Sequence, residues 1–251
     1  MSQQAADHEC VRIVPLHLPS ALAPAAASPQ LTYRKGPLIA AVEVFTIFWG
    51  PLWNQTPQKA MIGQINAFFD FILTSPLIDQ LAEYNVPKYA IKHGKRTGTV
   101  TITTPALKSS VTDSAIQTML RQQIAKGKPF PKPTPNALYF VFVQPGVRVV
   151  MGGSLSCQAF CGYHSSDGTT IFYAVMPYPG CNGCTGGLSV FDALTSTSSH
   201  ELCEAITDPI PGQGWYDDAN GEIGDICAWQ TKKVDRYTVQ LEWSNQANRC
   251  V

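Results

Sequence analysis

Between Arg148 and Lys232 the chain has neither lysine nor arginine. Seven carboxylates fall inside that gap, from Glu201 to Asp225, with no cation beside them in sequence. Clustered carboxylates repel one another, so they need either basic partners from elsewhere in the chain or a bound cation. Other absences narrow the class. Net charge is zero, with 18 Lys+Arg against 18 Asp+Glu, so no overall field draws in a nucleic acid. The apolar runs at 38–49 and 138–143 fall short of the ~20 residues that cross a bilayer, which argues against a membrane partner. Residues 1–30 lack a basic segment followed by an unbroken apolar stretch, so no export leader is read there.

What is present suits a folded domain. The chain has 251 residues, 45% of them hydrophobic, enough for a sizeable core. Charge divides it: residues 1–150 hold 14 Lys/Arg and 7 Asp/Glu, residues 151–251 hold 4 and 11. Nine of the basic residues lie between Val86 and Lys132. Only Tyr89 and Phe130 lie among them, short of the interleaved aromatics a single-strand platform requires, so this stretch reads as solvated surface.

Residues 1–37, rich in Ala, Pro and Ser, read as an extended or disordered arm carrying His8, Cys10 and His17. Residues 38–251 read as one domain, with a strand-helix half (38–150) and a loop-heavy, cysteine-rich half (151–251). Residues 38–49 form a buried strand. Thr56-Pro57 opens a helix whose stripe is Met61, Ile62, Ile65, Phe68, Phe69, Ile72 and Leu73. Residues 97–104 alternate like a half-exposed strand. Thr112 or Asp113 caps a helix carrying Ile116, Met119, Leu120 and Ile124. Residues 136–143 are a second apolar strand, with Val147–Val150 as its hairpin partner, and residues 169–176 a third. Asp192 caps the helix that Pro209 stops, and 234–243 is the closing strand. Alternating strands and helices predict an α/β or α+β fold with a mixed sheet.

The chemistry centres on Ser199-His200-Glu201-Leu202-Cys203-Glu204. His200 and Glu204, four apart, share a helix face, and Glu201 lies about 100° round at roughly 3.6 residues per turn. This is the layout of the HExxH zinc helix with Glu204 in place of the second histidine. His200 and Glu204 can chelate one zinc, and Glu201 can act as general base on a water held there. The third ligand is sought in the acidic turn 217–225, at Asp225 or Glu222. Asp208 lies some 12 Å along the axis from His200, too far to share an ion, and is assigned a supporting hydrogen bond. His164 is the other histidine of the acidic half, a ligand or an electrophile; it or Tyr216 is placed at a developing oxyanion. One imidazole with two carboxylates suits zinc, manganese or iron. Calcium in the turn 217–225 is the second metal considered, although the EF-hand spacing is absent.

Eight cysteines occur, at 10, 157, 161, 181, 184, 203, 227 and 250. Two readings stay open for Cys157, Cys161, Cys181 and Cys184: disulfides in an oxidising compartment, or a four-thiolate zinc site in a cytoplasmic protein. Cys227 and Cys250 can staple the C-terminal tail.

Several of these blocks resemble the EXORDIUM, or phosphate-induced, family. They are His200-Glu201-x-x-Glu204, then Gly214-Trp215-Tyr216, then Glu222-Ile223-Gly224-Asp225-Ile226-Cys227, preceded by Cys157-x-x-x-Cys161-Gly162-Tyr163-His164. Cys181-x-x-Cys184 matches the family's second cysteine pair more loosely. The resemblance spans about 138–227 and implies a distant member that is secreted and disulfide-bonded, with a zincin-like, metallopeptidase-like domain. The expected function is a zinc-dependent hydrolase acting on a peptide or small molecule. The alternative is a non-catalytic secreted binding or signalling protein on a degenerate zincin scaffold.

Overall fold

The structure, a computed structural model, describes residues 13–17 and 28–251. His8 and Cys10 lie outside the described residues. The elements that position the site are, in chain order, β1 (Val14–Pro15), β2 (Ala41–Trp49), α1 (Gln58–Ile72), β3 (Lys92–Ile102), α2 (Asp113–Lys126), β4 (Ala137–Val143), β5 (Phe160–Ser166), β6 (Phe172–Met176), α3 (Val190–Thr207), β7 (Thr231–Val234) and β8 (Tyr237–Gln240). Six strands form one mixed sheet in the order β1-β5-β6-β4-β2-β3. Strands β6, β4, β2 and β3 run parallel, β5 runs antiparallel to β6, and β1 caps the far edge against β5.

Side-chain alternation sends the two faces of each strand into different cores. Every residue of β4 is buried, as expected of a central strand covered on both faces. Its Leu138, Phe140 and Phe142 join Ile65, Phe68, Phe69 and Ile72 of α1. Its Tyr139, Val141 and Val143 join Ile116, Met119 and Leu120 of α2 on the opposite face. Thr112 caps α2 by accepting from Ala115 N at 3.2 Å. The result is three layers, with α1 and α3 on one side of the sheet and α2 on the other.

Helix α3 is buried on all sides from Ala193 to Thr207. It lies between β5 and β6 on one flank and the β7–β8 hairpin on the other. Its run Thr195-Ser-Thr-Ser-Ser199 keeps the side chains small, which lets both neighbours close in. The hydroxyls are satisfied: Thr195 Oγ1 donates to Thr238 O at 2.8 Å, and Ser199 Oγ accepts from Gln240 N at 2.9 Å. Ser189, not Asp192, is the cap. Its hydroxyl accepts from Asp192 N and donates to the Asp192 carboxylate, a reciprocal pairing at the helix start.

Three expectations change. Residues Arg148–Met151 do not pair with β4, because β2 and β6 already occupy both edges of β4; they pair with Ser110–Thr112 and Ser154–Leu155 instead. The closing strand is two strands, broken where Asp235 takes a positive φ. The described part of the N-terminal arm is ordered against the domain: β1 pairs with β5, and Thr32–Tyr33 pair with Trp215–Tyr216. His17 donates its N–H to Gly183 O at 2.7 Å and packs edge-on against Trp229.

Cysteines 157–181, 161–184 and 227–250 form disulfides. This replaces the four-thiolate zinc alternative. The Cys157, Cys181 and Cys184 sulfurs do converge within ligand distance, but each is spent in an S–S bond. Three disulfides are compatible with an oxidising compartment. Cys203 is free and buried, and burial pushes its thiol well up. In the native oxidised protein Cys203 should resist alkylation until the chain is unfolded, and the six bridged cysteines until it is reduced. Replacing Cys227 and Cys250 together by serine opens a loop of sequence separation 23. The double variant should lose about 3 kcal/mol in denaturant unfolding; an unchanged midpoint would refute the bridge.

Candidate metal centre

The C-terminal half of α3 carries His200 and Glu204 on one face, with His200 Nε2 2.9 Å from Glu204 Oε1. That approach is too bent for a hydrogen bond: neither ring nitrogen of His200 makes one to a described protein group. From the sheet, β5 lowers His164 onto the helix. Alternation turns Tyr163 to the other face, where its hydroxyl donates to Asp113 at 2.7 Å. Two residues before His164, Gly162 permits the close approach. A Cβ there would lie 2.6 Å from Thr197 Cγ2 and 3.2 Å from Glu201 Oε1.

The chain leaving α3 is folded back by Asp208. Its carboxylate accepts backbone N–H groups from Gly212 (2.6 Å), Gln213 (3.0 Å) and Gly214 (2.6 Å). Residues 222–225 then cross the His200 ring. A Cβ on Gly224 would fall 2.8 Å from His200 Nδ1, so only glycine lets the segment lie this close. Asp225 N donates to Glu204 Oε1 at 3.1 Å.

Two triads result. His200, Glu204 and Asp225 each offer one ligand atom, all within 4.8 Å of one another, and so do His164, Glu201 and Glu204. His164 Nε2 lies 3.0 Å from Asp208 O. A carbonyl only accepts, so Nε2 carries the hydrogen. Nδ1 then faces Glu201 Oε2 at 3.1 Å and Glu204 Oε2 at 3.4 Å. A ring N–H held by a carbonyl is the usual way to orient a ligating imidazole.

His164, His200, Glu201, Glu204, Asp208 and Glu222 are at most 1% exposed. Burial alone would lower both imidazoles, but the carboxylates around them outweigh it and hold both well above the ordinary histidine range. Burial would raise Glu204, yet His200 and His164 beside it bring it down to about 2. Burial raises Glu201 and, more strongly, Glu222, against the pull of His164. It lifts Asp208 to about 6 against its N–H donors. Among the described residues no lysine or arginine forms an ion pair with Glu201, Glu204 or Glu222. Glu201 Oε1 and both Glu222 oxygens are buried without a hydrogen bond from a described group.

The residues expected from sequence are distributed as follows. His200, Glu204 and Asp225 come together. Glu222 lies beside His164, with Oε1 3.5 Å from Nε2, rather than with His200 and Asp225. His164 has both nitrogens engaged by the cluster and does not present an N–H to a substrate oxyanion. Tyr216 pairs with Thr32 in a two-stranded ladder and carries the Arg34 guanidinium 4.5 Å above its ring, and these described contacts are with the arm rather than the cluster. In the turn 217–225, Asp217 Oδ1 accepts from Ala219 N and Asn220 N, and Asp225 Oδ2 accepts from Glu222 N. Those oxygens shape the turn, which weakens its case as a calcium loop. His93 pairs with Asp79 on the surface. Sequence reasoning missed Glu242, a fully buried carboxylate with neither oxygen hydrogen-bonded to a described group. Its only sequence signal is a single acid in the otherwise uncharged run Tyr237–Trp243.

No family model, curated protein or solved structure matches this chain.

The three N–H groups held by Asp208 make it the linchpin of the return loop. Asp208→Ala should cost about 3 kcal/mol or more, because buried donors lose their acceptor. A loss below 0.5 kcal/mol in urea unfolding would show that the loop holds without it.

Proposed function

We propose that this protein is a zinc-dependent, peptidase-like hydrolase on a zincin-like domain, related at a distance to the EXORDIUM family. The observation that carries this reading is the convergence of His200, Glu204 and Asp225, at which the buried ring nitrogens of His200 make no hydrogen bond to a described protein group. Two ligand atoms on one tetrahedral ion at ~2.0–2.1 Å stand roughly 3.3 Å apart. The 2.9 Å separation of His200 Nε2 and Glu204 Oε1 is near that value. One imidazole and two carboxylates suit zinc, with manganese and iron as chemical relatives.

Bound there, zinc supplies Lewis acidity toward a substrate carbonyl. The rest is the work of the chain. Glu201 Oε1, free of hydrogen bonds to described groups, takes a proton from the attacking water and returns it to the leaving group. Burial raises the affinity of Glu201 for that proton. His164 Nδ1, 3.1 Å from Glu201 Oε2, fixes the carboxylate, and Asp208 O fixes His164 in turn. The three disulfides support a secreted or otherwise oxidising location for this chemistry.

A second reading has its own observation. The complete burial of His200, Glu201 and Glu204 favours a closed structural ion in a non-catalytic binding protein. Elemental mass spectrometry and a peptide and ester substrate screen separate the two. The hydrolase should carry zinc that His200→Ala removes. Glu201→Gln should retain the His200-dependent zinc and lose at least 100-fold in turnover. Full activity in that variant would remove the mechanism. A zinc that a chelator extracts only as the protein unfolds, with no turnover in the wild type, would establish the structural reading.

A further inference from the structure

We propose that the cluster holds two divalent metal ions, with Glu204 shared between them: one ion at His200, Glu204 and Asp225, and a second at His164, Glu201 and Glu204. The second site rests on the zinc reading of the first and extends it.

The geometry of Glu204 is the starting point. Its two oxygens face different imidazoles. Oε1 lies 2.9 Å from His200 Nε2, and Oε2 lies 3.4 Å from His164 Nδ1. A side chain serving one ion would not need to divide itself in this way. The second triad also has the right donors. His164 Nδ1 is the nitrogen left bare once Nε2–H is given to Asp208 O. Its distances to Glu201 Oε2 and Glu204 Oε2, 3.1 and 3.4 Å, bracket the roughly 3.3 Å between ligands on one tetrahedral ion. Glu201 Oε1 stays free for the water, so the second ion does not displace the base.

Charge points the same way. Glu201, Glu204, Glu222 and Asp225 bring four negative charges to the two imidazoles. With the imidazoles neutral, as ligation requires, a second divalent ion offsets more of this charge in a region removed from water than a single ion does. The buried, unsatisfied oxygens of Glu222 and Glu201 mark where that charge is felt. Asp208 stands outside this sum because its carboxylate faces three backbone N–H groups. A centre of this kind would stabilise both the attacking water oxygen and the departing alkoxide oxygen of a hydrolysed ester. The competing arrangement is a single ion with a protonated His164 closing the ion pairs to Glu201 and Glu204.

The test is a zinc titration of chelator-stripped full-length protein, with bound metal counted by equilibrium dialysis and elemental mass spectrometry. Two zinc per chain are expected in the wild type, one in His164→Ala, and one bound at least tenfold more weakly in Glu201→Gln. One zinc in the wild type that His164→Ala keeps and His200→Ala loses would overturn the second site and leave the single-ion hydrolase standing. No zinc at all would overturn both. Zinc kept when His164→Ala and His200→Ala are combined would place the metal elsewhere and overturn both as well. Cobalt(II) gives a readout that needs no variant. In the wild type its electron paramagnetic resonance should grow to one equivalent and fail to double at two, because ions bridged by Glu204 couple. Saturation of binding at one equivalent would refute the pair.

Discussion

Carboxylates withdrawn from water without a base beside them dominate this molecule. Glu201, Glu204 and Glu222 sit at most 1% exposed, and among the described residues their ion-pair partners are imidazoles alone. Moving even one unpaired carboxylate out of water costs several kcal/mol. A fold that gathers three, with Asp225 beside them, is stable only if positive charge is supplied at that point or protons are taken up there. Protonated His164 and His200 can supply part of it. Divalent ions, as proposed above, would supply more, and would give ligands' roles to oxygens and ring nitrogens that no described protein group satisfies.

The architecture serves that enclosure. The sheet contributes His164 from its antiparallel strand, and the helix beneath contributes His200, Glu201 and Glu204. The return loop, turned by Asp208, brings Asp225 and Glu222 from the far side. Each approach depends on a small residue at the contact. Gly162 lets β5 descend onto Thr197 and Glu201, and Gly224 lets the loop lie on the His200 ring. The hairpin β7–β8 seals the remaining flank of α3 through Thr195 and Ser199. The two paired disulfides 157–181 and 161–184 brace the segment leading into β5, and 227–250 ties the end of the return loop to the C-terminal tail. The same side chains therefore hold the tertiary structure together and form the candidate site, so changes to the site carry a stability cost.

Much of this was legible along the chain because it is local. The spacing of His200, Glu201 and Glu204 is a property of a helix, and Val190–Thr207 is helical in the structure. The apolar strands 41–49 and 137–143, the stripe of α1 and the Thr112 cap follow from periodicity and capping alone. The mixed α/β class followed from their alternation. The acidic turn, where the third ligand was sought, stands out because a run of carboxylates without cations is visible in composition, and its Asp225 lies with His200 and Glu204 in the structure.

What stayed hidden is what depends on distant segments meeting. Whether Asp225 or Glu222 faces His200 is set by the path of the return loop that Asp208 holds. Arg148–Met151 pairs away from β4 because two strands far along the chain had already taken its edges. His164 read only as the other histidine of the acidic half, a ligand or an electrophile with no partner assigned. Its alignment over Glu201 and Glu204 exists only once β5 packs on α3 through Gly162. The sequence by itself determined the helix face, the ligand types and the shortage of cations, since these are properties of residue identity and near-neighbour spacing. Only the tertiary structure decided that two imidazoles share one carboxylate, because Glu204 meets His200 within its own helix but meets His164 from a distant strand of the sheet.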